Sequence, residues 1–295
     1  MSNHPEQQYL DLIDRILREG FYRPSPHGPL PSQPNPPGTY SLMNVNMAFD
    51  LSKGAFPLMT VRRMGFRPVL AELLWFLSGS TNNADLLELG AHIWDPWDTP
   101  ETNQACGWAP GQLGPIYGKQ WRHWRAAMAK PGGTLDAPGY DQIAKLVERI
   151  KTSPNSKRLF VTAYDPQDAE DCFVTTCHGL FFCQVWDGRL NLHMVQRSGD
   201  VPVGIPFNIA SYSLLTIMLA QVTGLQPGVF HHTISDAHVY ENQVDAMRQL
   251  LLRQPCLYPR LEVDSTVTDI FGFRLEHFKL VDYEPHLKLN VPVAT

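Results

Sequence analysis

A chain of 295 residues with 43% hydrophobic and 18% charged side chains has the apolar material for a substantial core. A formal charge of −5 and a pI near 6.1 argue against a dedicated nucleic-acid or membrane-surface binder, though local basic clusters can still hold a small anion. Five cysteines (Cys106, Cys172, Cys177, Cys183 and Cys256) form no C-x-x-C pair and cannot all be paired, which points to free thiols in a reducing compartment, the cytoplasm.

The opening MSNHPEQQYL lacks the basic start and apolar core of a secretory signal. Residues 5–19 read as an amphipathic helix with Tyr9, Ile13, Ile16 and Leu17 on one face and Gly20 as its stop. The stretch at about 24–37, RPSPHGPLPSQPNPPG with its flanks, is a stiff proline-rich insertion. TYSLMNVNMAFDL alternates like a strand. PVLAELLWFLS reads as a helix apolar nearly all round, hence buried, with Glu72 inside it; a carboxylate there must be partnered or used. YDQIAKLVERI is a surface helix with Ile143, Leu146, Val147 and Ile150 turned inward.

Three strands follow: LFVTAY, then HGLFFCQVW and RLNLHMVQ joined by the two-residue turn Asp187-Gly188. NIASYSLLTIMLAQVTG is a buried helix. Residues 209–222, its most apolar part, are broken by Ser211, Ser213, Thr216 and Gln221 and read as too short and too polar to span a bilayer. No repeat or linker divides the chain, so it reads as one α+β domain over 1–295. Charge-poor strands, apolar on both faces, suggest that the sheet packs against something large, such as a second copy.

Within T-T-C-H-G-L, Cys177 lies at the mouth of a strand beside His178. Metal binding fits poorly, because Cys172, Cys177 and His178 lack paired ligand spacing. If the turn pairs Trp186 with Arg189, an unbroken ladder sets Ser198 opposite Cys177 and Arg197 opposite His178, and a nearby guanidinium favours the thiolate. Cys177 therefore reads as a nucleophile, whereas Cys172, Cys183 and Cys256 read as ordinary buried thiols. Downstream, Q-R-S-G-D-V-P-V-G-I-P-F-N resembles a ligand-binding turn, with Asn208 either a base reader or a helix cap. In S-D-A-H-V-Y, His238 and Tyr240 share a face if the segment is extended.

Y-G-K-Q-W-R, E-L-L-W-F-L, C-H, Q-R-S-x-D-V, G-I-P-F-N-I-A-S-Y, D-A-H-V-Y and the final P-V-A-T resemble the folate-dependent, cysteine-nucleophile thymidylate synthase family over nearly the whole chain, in the family's order. The resemblance implies an α+β fold with a large mixed sheet packed back to back in a homodimer. It implies one-carbon transfer from 5,10-methylenetetrahydrofolate to carbon 5 of a pyrimidine deoxynucleoside monophosphate, foremost dUMP to dTMP. Hydroxymethylation of dUMP or dCMP, or methylation of dCMP, is the alternative.

By the same resemblance Cys177 attacks carbon 6, Glu72 serves the proton transfers, and Arg197, Asn208 and Asp200 complete the catalytic group. Arg197 and Ser198 hold the phosphate, with Lys157 and Arg158 reaching in from the other subunit. Asn208 reads the base, His238 and Tyr240 the sugar, and Gln196, Asp200 and Tyr117 belong to the same nucleotide site. Trp94, Asp200, Val203, Gly204, Phe207 and Ala294 contact the folate, and the C-terminus closes over it.

The chain departs from the family pattern where P-N-P-P-G-T replaces R-T-G-T-G-T, which removes a phosphate-binding arginine; Arg23 is the candidate substitute. Thr176 stands in place of a proline, Lys157 of an arginine, Met64-Gly65 of a Cys-His pair, and Thr295 of an apolar end. Two rival readings remain. A cysteine hydrolase using Cys177, His238 and Asp236 leaves Arg197 and Asn208 unexplained, and a non-catalytic nucleotide binder has no use for the thiol.

Overall fold

The computed structural model describes residues 4–25 and 36–293, so most of the proline-rich insertion, Ala294 and Thr295 lie outside the described residues. The helices are α1 (Gln7–Glu19), α2 (Phe66–Ser78), α3 (Asn83–Glu88), α4 (Pro100–Cys106), α5 (Tyr117–Arg122), α6 (Gln142–Thr152), α7 (Pro166–Ala169), α8 (Gly204–Val222) and α9 (Val244–Leu250). The strands are β1 (Phe21–Arg23), β2 (Thr39–Asp50), β3 (Met128–Ala129), β4 (Thr134–Leu135), β5 (Phe160–Thr162), β6 (His178–Trp186), β7 (Arg189–Asp200), β8 (Gln226–Tyr240), β9 (Arg260–Val263) and β10 (Phe278–Val281).

Six strands form the main sheet in the order β1-β2-β8-β7-β6-β5. All neighbours are antiparallel except β7 and β8, which run parallel and make the sheet mixed. A parallel pair needs a long crossover, and α8 provides it, packing back onto both strands.

Helix α8 is buried almost all round and starts at Gly204, four residues earlier than the sequence suggests. Pro206 in the first turn is tolerated because that turn has no intrahelical partner for its N–H. Asn208 is therefore inside the helix and is no cap; the cap position is Val203, whose N–H donates to Asp200 Oδ1 at 3.0 Å. At 19 residues the whole of α8, unlike 209–222 alone, is long and apolar enough to cross a bilayer, but most of it is buried inside the protein. It is a core helix.

Helix α2 buries Val69, Leu70, Leu73, Trp75, Phe76 and Leu77 and ends on Gly79, whose φ of 84° is the left-handed cap glycine supplies readily. Helix α1 lays Tyr9, Leu10, Leu12, Ile13 and Ile16 on β2 and β8.

No helix covers the sheet's opposite face among the described residues. A stripe crosses it there: Phe160 meets Phe182, Phe182 stacks on His193, and His193 bonds Thr233, which bonds Asn46. The stripe is thus mixed, more polar than the strands alone suggested.

The Asp187-Gly188 turn forms as expected, with both residues at positive φ (49° and 72°), the twist that suits a two-residue hairpin. From Trp186–Arg189 to Leu180–Val195 the ladder follows the expected register, and then Gly179 bulges out. Beyond the bulge His178 pairs with Gln196, and the Arg197 N–H donates to the Cys177 carbonyl at 2.7 Å. The expected pairing of Ser198 with Cys177 is corrected: Arg197 takes that place, because a bulge advances one strand by a residue.

Candidate active site

The bulge decides what the thiol meets. Arg197 Nη2 lies 3.5 Å from Cys177 Sγ and 3.3 Å from the Thr175 carbonyl, to which the thiol itself donates at 3.6 Å. Burial pushes the Cys177 thiol up, and Arg197 pulls it back through its charge and its hydrogen bond. The expected support of the thiolate by arginine is present, but desolvation is the larger effect.

The loop entering β6 is fixed from below. The Tyr117 hydroxyl accepts from the Cys177 N–H at 2.7 Å and the His178 N–H at 3.3 Å. Thr176 donates its hydroxyl to the Ala163 carbonyl at 2.9 Å, so the threonine in place of proline anchors the loop by a hydrogen bond. The His178 ring lies tilted against Tyr117 at 4.7 Å, and burial pushes its pKa down to about 4, opposed by a hydrogen bond with Asn208 that favours the charged ring.

Glu72 faces the same region from α2. Its Oε1 accepts from the Trp94 indole N–H at 2.8 Å. Burial pushes its carboxyl up to about 7, with the Trp94 bond opposing. A carboxyl poised there trades protons at neutral pH. Trp94 packs edge-on against Trp75 and Trp97, and Tyr117 packs on Phe76, so one aromatic cluster connects Glu72 to the cysteine loop.

Asn208 is buried, and its Oδ1 accepts from Gln196 Nε2 at 3.0 Å. The same Gln196 amide donates to the Ser198 carbonyl at 3.0 Å, and its Oε1 faces His232 Nε2 at 2.8 Å. Burial drives His232 down to about 3, so it is neutral and Nε2–H is the donor. Gln196 is thereby oriented from both ends, and it holds Oδ1 of Asn208 as the acceptor. His232 was not singled out in the sequence.

Asp236 gathers the polar end of the site. Its Oδ2 accepts from Arg23 Nη2 at 2.6 Å and Ser198 Oγ at 3.3 Å, and lies 3.7 Å from His238 Nδ1. These partners hold its carboxyl far below the usual range although burial opposes them. Arg23 also donates to Ser41 Oγ at 3.2 Å. Tyr240 packs edge-on against His238 at 5.1 Å. The sequence reading placed Asp236 only in a hydrolase triad; Cys177 Sγ instead has Arg197 and Thr175 as its hydrogen-bond partners among the described residues.

A cleft of about 570 Å³ is lined by Arg62, Arg63, Met64, Gly65, Val203, Phe207 and the C-terminal residues 288–293. Burial raises the Asp200 carboxyl, and its Oδ2 accepts from Gln243 Nε2, which also donates to the Pro292 carbonyl at 2.9 Å. Asp200 thus connects the start of α8 to the C-terminal segment. Val203 and Phe207, two of the residues assigned to the folate by resemblance, line this cleft, with Gly204 between them in sequence. Trp94 is not in its lining but at Glu72. Arg62, Arg63 and Lys288 were missed, since isolated cations are common on any surface.

Lys157 and Arg158 are exposed on the turn before β5 and make no hydrogen bond or ion pair with Cys177, Arg197 or Asn208 among the described contacts. Their expected role requires a second copy of the chain.

A thymidylate synthase family model matches residues 7–295. The chain is 43% identical over 294 residues to thymidylate synthase 1/2 of Encephalitozoon cuniculi (strain GB-M1), covering 98% of this chain and 97% of that protein. With a cysteine under an arginine, a carboxyl poised near neutrality and a buried asparagine held by glutamine, the chain belongs to the thymidylate synthase family.

Proposed function

We propose that the chain converts dUMP to dTMP, with 5,10-methylenetetrahydrofolate as its one-carbon donor. The observation that carries this reading is the Cys177–Arg197 contact, with Glu72, linked to the cysteine loop through Trp94 and Tyr117, pushed up to about 7 by burial. Residues of the cleft fit a folate: Phe207, Val203 and Val291 offer apolar surface, and Arg63 and Lys288 are cations for its carboxylates. Arg62, whose Nε is buried without a partner, adds an unused donor. When bound, the folate supplies the one-carbon unit and the hydride that become the methyl group.

The protein's residues prepare the ring. Cys177, as thiolate, adds to carbon 6 of the uracil, and the electron pair of the 5,6 double bond moves toward carbon 5 and O4. Arg197 stabilises the sulfur's charge before the attack and becomes free to pair with the nucleotide phosphate after it. Glu72 gives and takes the proton at O4 and removes the one at carbon 5, which a carboxyl near pKa 7 does with little bias. Asn208 accepts from the uracil N3–H through Oδ1 and donates to O4. Ser198 and Arg23 hold the phosphate, and His238 and Tyr240 the sugar. Asp200 keeps the first turn of α8 and the C-terminal segment together over the cofactor.

The uncovered sheet face and the exposed Lys157 and Arg158 support a homodimer in which each site borrows phosphate ligands from its partner. All five thiols are free, which supports a reducing, cytoplasmic setting. The test is mass spectrometry of the products from dUMP and dCMP with methylenetetrahydrofolate. Formation of dTMP with matching dihydrofolate is expected; a hydroxymethyl product, or consumption of dCMP in preference to dUMP, would overturn the reading.

A further inference from the structure

Glu6 is fully buried at the start of α1, far in sequence from every residue assigned above. A buried carboxylate is costly unless its lone pairs are satisfied, and here they are. Oε1 accepts from the Thr60 and Val61 N–H groups at 2.8 and 2.9 Å, and Oε2 from the Thr60 hydroxyl at 2.5 Å. The loop it grips continues directly into Arg62, Arg63, Met64 and Gly65, one wall of the cofactor cleft.

The segment that leads into the other wall, residues 283–287, is tied to residues 59–61. The Thr60 carbonyl accepts from the His286 N–H at 2.8 Å. The Val61 carbonyl accepts from Arg253 Nη1, which also donates to the Leu287 carbonyl, both at 2.8 Å. Tyr283 donates its hydroxyl to the Met59 carbonyl at 2.8 Å and accepts from the Met64 N–H at 2.9 Å. Thr60 Oγ1 in turn accepts from the Cys256 N–H at 2.8 Å. Residues 59–61 are therefore the hinge from which both walls hang, and Glu6 is the ionisable group at its centre.

We propose that Glu6 is a positioning residue for the cofactor: by clamping Thr60 and Val61 it sets the spacing of the two cleft walls, and so governs affinity for the folate and not for the nucleotide. The proposal rests on the folate reading of the cleft. The Glu6→Gln change keeps the volume but removes the charge. Its oxygen can still accept from the Thr60 and Val61 N–H groups, and its NH2 can donate to the Thr60 hydroxyl, which then turns its proton to the Cys256 carbonyl at 3.2 Å. Charge-assisted contacts thus become weaker neutral ones.

The test compares wild type, Glu6→Gln and Thr60→Val, which removes the hydroxyl's contacts with Glu6 and Cys256 and keeps both N–H contacts to Glu6. The expected result in Glu6→Gln is a KM for methylenetetrahydrofolate raised about tenfold with the KM for dUMP within about twofold. Amide hydrogen exchange in the ligand-free protein should speed up at 60–64 and 286–289 together. Thr60→Val should move both readouts the same way by less, and it decides the matter if Glu6→Gln does not fold. Unchanged exchange, faster exchange with an unchanged folate KM, or an equal rise in both KM values would overturn the proposal. A wild type that makes no dTMP would defeat the functional reading instead, leaving the exchange comparison to judge the clamp.

Discussion

Arg197 stands across the β6–β7 ladder from Cys177, its guanidinium 3.5 Å from the sulfur, because a single glycine is extra in β6. Without that bulge the ladder would set Ser198 against the thiol, and the charge that offsets the thiol's burial would face His178. Catalytic competence in this account depends on a one-residue irregularity.

The first prediction concerns that charge. Burial already raises the Cys177 thiol, and Arg197 opposes it, so Arg197→Leu should raise it further and leave less thiolate. Iodoacetamide labelling of Cys177 at neutral pH should slow by roughly ten- to hundredfold, in line with the loss of about 1.5–3 kcal/mol for a charged hydrogen bond. A rate that is unchanged, or faster, would show that the guanidinium does not support the thiolate.

Glu72 gives a pH-dependent prediction. Its folded-state pKa of about 7 lies above the ordinary 4.5, so the stability it contributes is fully present below about 4.5 and is lost as pH rises through about 7. Glu72→Gln should abolish that slope, which is at most about 3 kcal/mol and less to the extent that cleft water reaches the carboxyl. Its kcat should fall by roughly 10²–10⁴. In Trp94→Phe the carboxyl loses a bond that lowers its pKa, so the kcat–pH limb near 7 should move to higher pH. Denaturant midpoints and kcat measured from pH 5 to 9 check both; a limb that stays in place in Trp94→Phe and Glu72→Gln alike would remove Glu72 as the titrating group.

Ring choice should depend on Gln196 as much as on Asn208. While Gln196 donates to Oδ1, Asn208 presents an acceptor for the uracil N3–H, and the flip that cytosine needs would set donor against donor. Gln196→Leu should shrink the preference for dUMP over dCMP by about tenfold or more, and Asn208→Asp should shift it toward dCMP. Competition between the two nucleotides at equal concentration measures it. A Gln196→Leu enzyme as selective as wild type would show that the amide is oriented by something else.

Arg23→Ala tests the phosphate end. Removing the guanidinium that bonds Asp236 and Ser41 should raise the KM for dUMP by about tenfold or more while leaving kcat within a few fold, and inorganic phosphate should inhibit less. If the KM is untouched, the Arg23–Asp236 pair is structural only.

These relationships were unequally legible in the sequence. The hairpin was readable because Asp-Gly favours the positive φ of a two-residue turn, and the outer pairs of its ladder follow from that alone. The bulge was not, since a glycine fits a regular strand as well as an irregular one. The buried helix was found from its apolar residues, but its start was misjudged because Gly204 and Pro206 imitate a turn while sitting in the one part of a helix that accepts proline. Glu72 was visible as a charge among apolar neighbours. Asp236 and Glu6 were not, because their meaning lies in partners such as Arg23 and Thr60 that are close in space and remote along the chain.

The central claim is that Cys177 forms a covalent bond to the pyrimidine. Intact-mass and peptide mass spectrometry of the protein incubated with 5-fluoro-dUMP and methylenetetrahydrofolate test it most directly. The account predicts a ternary adduct on the peptide carrying Cys177, absent from Cys177→Ser. An adduct on Cys172 or any other cysteine, an adduct that survives in Cys177→Ser, or none at all in an enzyme that turns over dUMP, would contradict it.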